Sequence, residues 1–146
     1  MKTDGIEKAI RMALEAHLGQ KDKGGQPYIL HPLRIMNSVN GYEEKIVALL
    51  HDVVEDSDIT LTDLQNEGFS EEVIFAVDCL TKRTEENYED YLERVAQSEI
   101  AKSVKIADLT DNSDLSRIPS LTEKDYKRVE KYKRSTEFLT NYYFKI

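Results

Sequence analysis

The run Leu49-Leu50-His51-Asp52-Val53-Val54-Glu55-Asp56 sets four ionisable side chains into an otherwise apolar stretch. Burying an ionised carboxylate is costly unless a cation or hydrogen-bond partners compensate. His51 and Asp52 together offer an imidazole nitrogen and a hard carboxylate oxygen, a pair suited to a divalent transition metal. If the run is one helix, Glu55 stands a turn beyond His51 and Asp56 a turn beyond Asp52. The first pair then reads as metal ligands and the second as groups able to move protons.

Two further residues complete a ligand set. His31 lies in Tyr28-Ile29-Leu30-His31-Pro32, where the proline is expected to hold the preceding backbone extended and to open a helix. Asp108 closes Val104-Lys105-Ile106-Ala107-Asp108, an acid in another apolar segment. Two histidines and two aspartates suit Mn²⁺, Fe²⁺ or Zn²⁺ with positions left for water or substrate. Such an ion lowers the pKa of bound water and polarises a phosphoryl oxygen. The plainer alternatives are a helix-start hydrogen-bonding role for His31 and an ion-pair or solvated role for Asp108. His17 continues an apolar stripe and reads as a packed, hydrogen-bonded histidine. Lys21, Lys23, Lys82, Arg83, Lys105 and Arg117 are phosphate contacts or surface cations. Lys105 has the best position, three residues before Asp108 on one helix. Tyr28 either stacks on a base or packs beside Pro27.

The elements that must carry these groups are helical. Ile6, Ala9, Ile10, Ala13, Leu14 and His17 recur at three- and four-residue steps and predict a core-facing stripe, with Asp4 and Glu7 as a capping box. Gly19 to Pro27 reads as a loop, and Gly24-Gly25 lacks the Gly-Lys-Ser/Thr ending of a phosphate loop. Pro32 opens a second helix, and Glu43 to about Asp56 forms a third. Thr60 to Glu67 is a short helix closed by Gly68, and Ser70 caps the next. Tyr88 to Ala96 and Glu99 to about Asn112 follow. Thr122 with Asp125 starts the last, whose Val129, Tyr132, Thr136, Leu139 and Tyr143 form a core or subunit-contact stripe, leaving a homo-oligomer open. No sustained period-two alternation appears, so the expected fold is all-α, a single compact helical bundle spanning 1–146.

Composition narrows the classes of function. Hydrophobic residues at 40% and charged ones at 33% fit a folded, soluble domain of 146 residues. A net charge of −8 argues against a nucleic-acid-coating surface. No apolar stretch approaches membrane-spanning length. The start Met1-Lys2-Thr3-Asp4-Gly5 is unlike a signal peptide, and a lone cysteine, Cys79, fits a reducing compartment. A cytoplasmic protein without membrane or nucleic-acid partners is expected.

Taken in order, Gly25-Gln26-Pro27-Tyr28, His31-Pro32, the His51-Asp52 to Glu55-Asp56 run, and Lys105-Ile106-Ala107-Asp108 with Asn112 resemble the HD superfamily of phosphohydrolases. Within it they resemble the hydrolase domain of RelA/SpoT proteins and small stand-alone alarmone hydrolases, from about His17 to Asn112. The resemblance implies an HD-domain helical fold and a Mn²⁺ ion, or another divalent transition metal, on His31, His51, Asp52 and Asp108. It implies that metal-activated water removes the 3′-pyrophosphate of guanosine tetra- or pentaphosphate. Glu55 and Asp56 match an acidic pair that positions water and transfers protons, and Asn112 an asparagine near ribose and metal. The pattern departs at Gln20-Lys21-Asp22-Lys23-Gly24-Gly25, where the family's nucleotide-holding arginine is replaced by Asp22. Lys21 or Lys23 could supply that charge, without a planar guanidinium. Hydrolysis of another nucleotide or phosphoester, or nucleotide binding without turnover, are the alternatives.

Overall fold

Side chains that occupy free backbone amides mark where most of the helices begin. The structure, a computed structural model, describes residues 4–142. Asp4 accepts from the Ile6 amide and starts α1 (Gly5–Ala16). After the Gly19–Pro27 loop come α2 (Leu30–Ser38), α3 (Tyr42–Leu50) and the single turn α4 (Val53–Asp56). Thr60 and Asp63 cap α5 (Leu61–Asn66) reciprocally, and Gly68, at φ +90°, turns the chain out of it. Ser70, Asn87 and Ser98 cap α6 (Glu71–Leu80), α7 (Tyr88–Val95) and α8 (Glu99–Asn112). A short 3₁₀ turn (Leu115–Arg117) leads to α9 (Glu123–Thr140), where Asp125 accepts from the Thr122 amide and hydroxyl. No strand occurs among the described residues, and no helix is long and apolar enough to cross a membrane. Tyr143, the end of the expected α9 stripe, lies outside the described residues, as do Met1 to Thr3.

Helix α3 is the hub. Ile46, Val47, Ala48, Leu49 and Leu50 are all buried, so the second half of this helix is apolar around its whole circumference. It is packed by α1, α2, α6 and α8, and α8 in turn carries α9. His31 and Asp108 therefore stand on helices, and His51 and Asp52 at the end of the buried hub helix.

Three expectations need correction. The Glu43–Asp56 helix is broken at His51-Asp52. His51 Nδ1 donates to the Ala48 carbonyl at 2.6 Å, the acceptor that the Asp52 amide would use in a continuing helix. His31 is not in extended backbone: it lies in the first turn of α2, which starts at Leu30, and Pro32 is accommodated there because first-turn amides have no helical acceptor. Leu14 is 47% exposed. The buried line of α1 runs through Ala9, Met12 and Ala13, and Leu14 is turned about 100° from Ala13.

Candidate active site

His31, His51 and Asp108 converge from α2, the α3–α4 junction and α8. All three are buried, and each offers one ligand atom within 4.8 Å of the other two, a group that could hold a metal ion. Because the Ala48 carbonyl can only accept, His51 carries a proton on Nδ1, and in the neutral ring its Nε2 presents a lone pair inward. That Nε2 is buried without a hydrogen-bond partner. Asp52 Oδ2 lies 3.0 Å away and Asp108 Oδ1 3.6 Å away, but neither is aligned to make a hydrogen bond. Across the site, His31 Nε2 is 2.8 Å from Asp108 Oδ1. An orphaned imidazole nitrogen aimed at carboxylate oxygens is the donor set a divalent cation needs.

The electrostatics point the same way. Burial alone would lower the His51 pKa, yet Asp52 and Asp108 push it well above the ordinary value. His31 is likewise depressed by burial and raised overall by Asp108 and Asp111. Burial would raise Asp108, but Lys105 and the two histidines hold it well below the carboxylate range. The carboxylates thus demand positive charge at their focus. One divalent cation meets that demand with neutral imidazoles.

The other sequence-expected residues fall into two groups. Asp52 receives a hydrogen bond from the Tyr28 hydroxyl, and the Tyr28 ring packs 4.7 Å from His17 and 5.4 Å from His31. Asn112 donates to Asp108 at 3.0 Å from one turn further along α8. Lys105 is committed to Asp108 at 3.0 Å and lies over the Tyr91 ring. Glu55 and Asp56 are exposed and stand outside the cluster. Glu55 accepts from the Lys82 amide at 2.5 Å, and burial raises its carboxyl pKa. Asp56 accepts from Gln20 at 3.4 Å and lies 3.8 Å from His17. His17 is packed as expected, with Nδ1 on Gln20 at 2.9 Å and Nε2 unpartnered.

A cavity of about 320 Å³ opens beside His31 and Asn112. Lys21, Lys23, Arg34, Arg117 and Arg128 line it and outnumber Asp22 and Asp114, with Tyr28 and Tyr132 among its apolar surfaces. A larger hollow of about 540 Å³ has no lysine or arginine on its wall and carries Glu44, Asp111 and Asp114. Only the first suits a polyanion. Asp22 is on the cavity wall as well, but its Oδ1 is engaged by the Gly24 and Gln26 amides, both at 2.9 Å, and folds the loop. Gly24 is required there, since a Cβ would meet the Arg117 carbonyl at 2.6 Å. Guanidinium groups come instead from α2, the 3₁₀ turn and α9. Sequence reading missed Arg34, Arg128 and Asp111. The available sign was helical spacing, Arg34 standing three residues after His31 and Asp111 three after Asp108.

No protein-family model matches the chain. Curated relatives do. The guanosine-3′,5′-bis(diphosphate) 3′-pyrophosphohydrolase of Aquifex aeolicus is 34% identical over 119 residues, 73% of this chain and 17% of the relative. Its namesake from Borreliella burgdorferi is 35% identical over 81 residues, 53% of this chain and 12% of the relative. A GTP pyrophosphokinase of Myxococcus xanthus is 35% identical over 127 residues, 75% of this chain and 17% of that protein. The chain spans less than a fifth of the length of these relatives. A solved metazoan orthologue of SpoT, described as hydrolysing ppGpp, has the same fold. Its TM-score is 0.78 at 22% identity, over 97% of this chain and 88% of that one.

Proposed function

We infer that this relative of the HD-type RelA/SpoT hydrolases is a metal-dependent phosphohydrolase that removes pyrophosphate from guanosine-3′,5′-bis(diphosphate). The observation that carries this reading is the buried His31, His51 and Asp108 focus, with its orphaned nitrogen, beside a cavity walled by cations. His31, His51, Asp52 and Asp108 would hold the ion, for which we propose Mn²⁺. When bound, it lowers the pKa of a water and neutralises phosphoryl oxygens.

The protein's own groups do the rest. Lys21, Lys23, Arg34, Arg117 and Arg128 supply charge to a polyphosphate, and the guanidinium forks orient it. Tyr28 and Tyr132 offer ring faces to the nucleoside. Asn112 sits where cavity and cluster meet. Water oxygen bonds to the phosphorus on the ribose 3′ oxygen, that P–O bond breaks, and the 3′ oxygen gains a proton; the products are GDP and pyrophosphate. Glu55 takes the proton of the attacking water, and Asp56 passes protons between solvent and this region. A carboxyl raised by partial burial is closer to the range in which it exchanges protons at neutral pH.

The test is incubation of the Mn²⁺-loaded chain with guanosine tetraphosphate, following GDP and pyrophosphate. Both products in equal amounts are expected; neither appearing would overturn the substrate assignment. One observation favours a second reading. Asp22, which stands where the resemblance implies a nucleotide-holding arginine, folds the loop instead, so that nucleotide contact is missing while His31, His51 and Asp108 still converge. A panel of pyrophosphorylated and monophosphorylated nucleotides distinguishes the two.

A further inference from the structure

Asp111 has no assigned chemistry, yet it touches the back of the site. Its Oδ2 lies 2.6 Å from His31 Nδ1, opposite the Nε2 that faces Asp108. Arg34 donates to both carboxylate oxygens, Nε to Oδ1 at 2.8 Å and Nη2 to Oδ2 at 3.1 Å. Arg117 Nη2 stands 3.4 Å from Oδ2 and donates to the Asp111 carbonyl at 3.0 Å. On α8, Asp108, Asp111 and Asn112 share one face, so a single helix delivers a candidate ligand and this backing carboxylate together.

A carboxylate clamped between guanidinium groups is an acceptor only. It therefore fixes the proton of the neutral His31 ring on Nδ1 and leaves the Nε2 lone pair directed at the His51–Asp108 focus. A carboxylate behind a metal-binding imidazole fixes its tautomer and orientation and raises its basicity. We propose that Asp111 is a positioning residue for the metal site, holding His31 in the ligating tautomer, and that Arg34 and Arg117 hold Asp111 from the cavity side. This rests on the metal reading above. The two arginines also line the cavity, so the same pair of side chains borders substrate on one side and braces the site on the other.

Calorimetric titration of Mn²⁺ into the full chain tests the proposal, with Asp111→Ala and Asp111→Asn compared at matched fold by circular dichroism. Asp111→Ala is expected to weaken Mn²⁺ binding by about 10–100-fold. Asp111→Asn has the same size and keeps an oxygen acceptor for the Nδ1 proton; at equal fold it should bind Mn²⁺ more tightly than Asp111→Ala. At saturating Co²⁺, the visible absorption of Asp111→Ala should differ from native as the His31 ring reorients. Should alanine unfold the chain, the asparagine variant decides alone. Native Mn²⁺ affinity in a folded variant would overturn the positioning role. Absence of Mn²⁺ uptake by the native chain would instead overturn the metal reading, and this inference with it.

Discussion

At the residue scale, the proposed division of labour between ligands and proton carriers has a direct consequence. Glu55 touches the Lys82 amide and none of the three clustered ligands. Glu55→Gln should therefore leave Mn²⁺ affinity by calorimetry unchanged while lowering kcat by about 10²–10⁴, the range for loss of a general base. Full turnover in that variant would remove Glu55 from the reaction. The residues legible in the sequence were those whose chemistry clashed with their neighbours: His51, Asp52 and Asp108 interrupt apolar runs, and the structure buries His51 and Asp108. Asp111 was illegible for the opposite reason. It sits among Thr110, Asn112 and Ser113, where a polar residue needs no explanation, so its spacing from Asp108 carries weight only once His31 is seen to approach it from α2.

At the element scale, the caps at Ser70 and Thr122 were readable because they carry their signals within four residues. The break between α3 and α4 was not, since it arises from a side chain capturing a backbone carbonyl in three dimensions. A comparable tertiary device closes α6 onto α7. Arg94 donates to the Asp78 and Thr81 carbonyls and forms a fork with Glu86. That hydrogen bonding holds the Glu86 carboxyl down at about 2, against an ordinary 4.5. A depressed carboxyl stabilises the fold above the unfolded-state value and loses that contribution as pH falls through the folded one. Urea unfolding of Glu86→Gln should accordingly show a shallower loss of stability than native between about pH 4.5 and about pH 2. An identical slope would mean that the pair contributes nothing.

At the scale of the whole molecule, the all-α class followed from periodicity, but the cavity did not. Its guanidinium groups reach it from α2, from the 3₁₀ turn after α8 and from α9, segments separated by most of the chain. No local pattern encodes such a convergence. Arg128 is the most distant contributor, and Asp125 anchors it at 2.7 Å from three residues before it on α9. Arg128→Gln should raise KM for the nucleotide by about 10-fold or more with little change in kcat, as expected on losing one hydrogen bond to a charged group. Steady-state kinetics with varied substrate provides the check, and an unchanged KM would exclude Arg128 from the binding surface.

The account depends on α2, α3 and α8 bringing their ligands to one point. Anomalous diffraction from a crystal soaked in Mn²⁺ tests this most directly. A single peak is predicted within bonding distance of His31 Nε2, His51 Nε2 and the Asp108 carboxylate, with Asp52 alongside. A peak elsewhere, or none while His31 and His51 keep their separate hydrogen bonds, would contradict it.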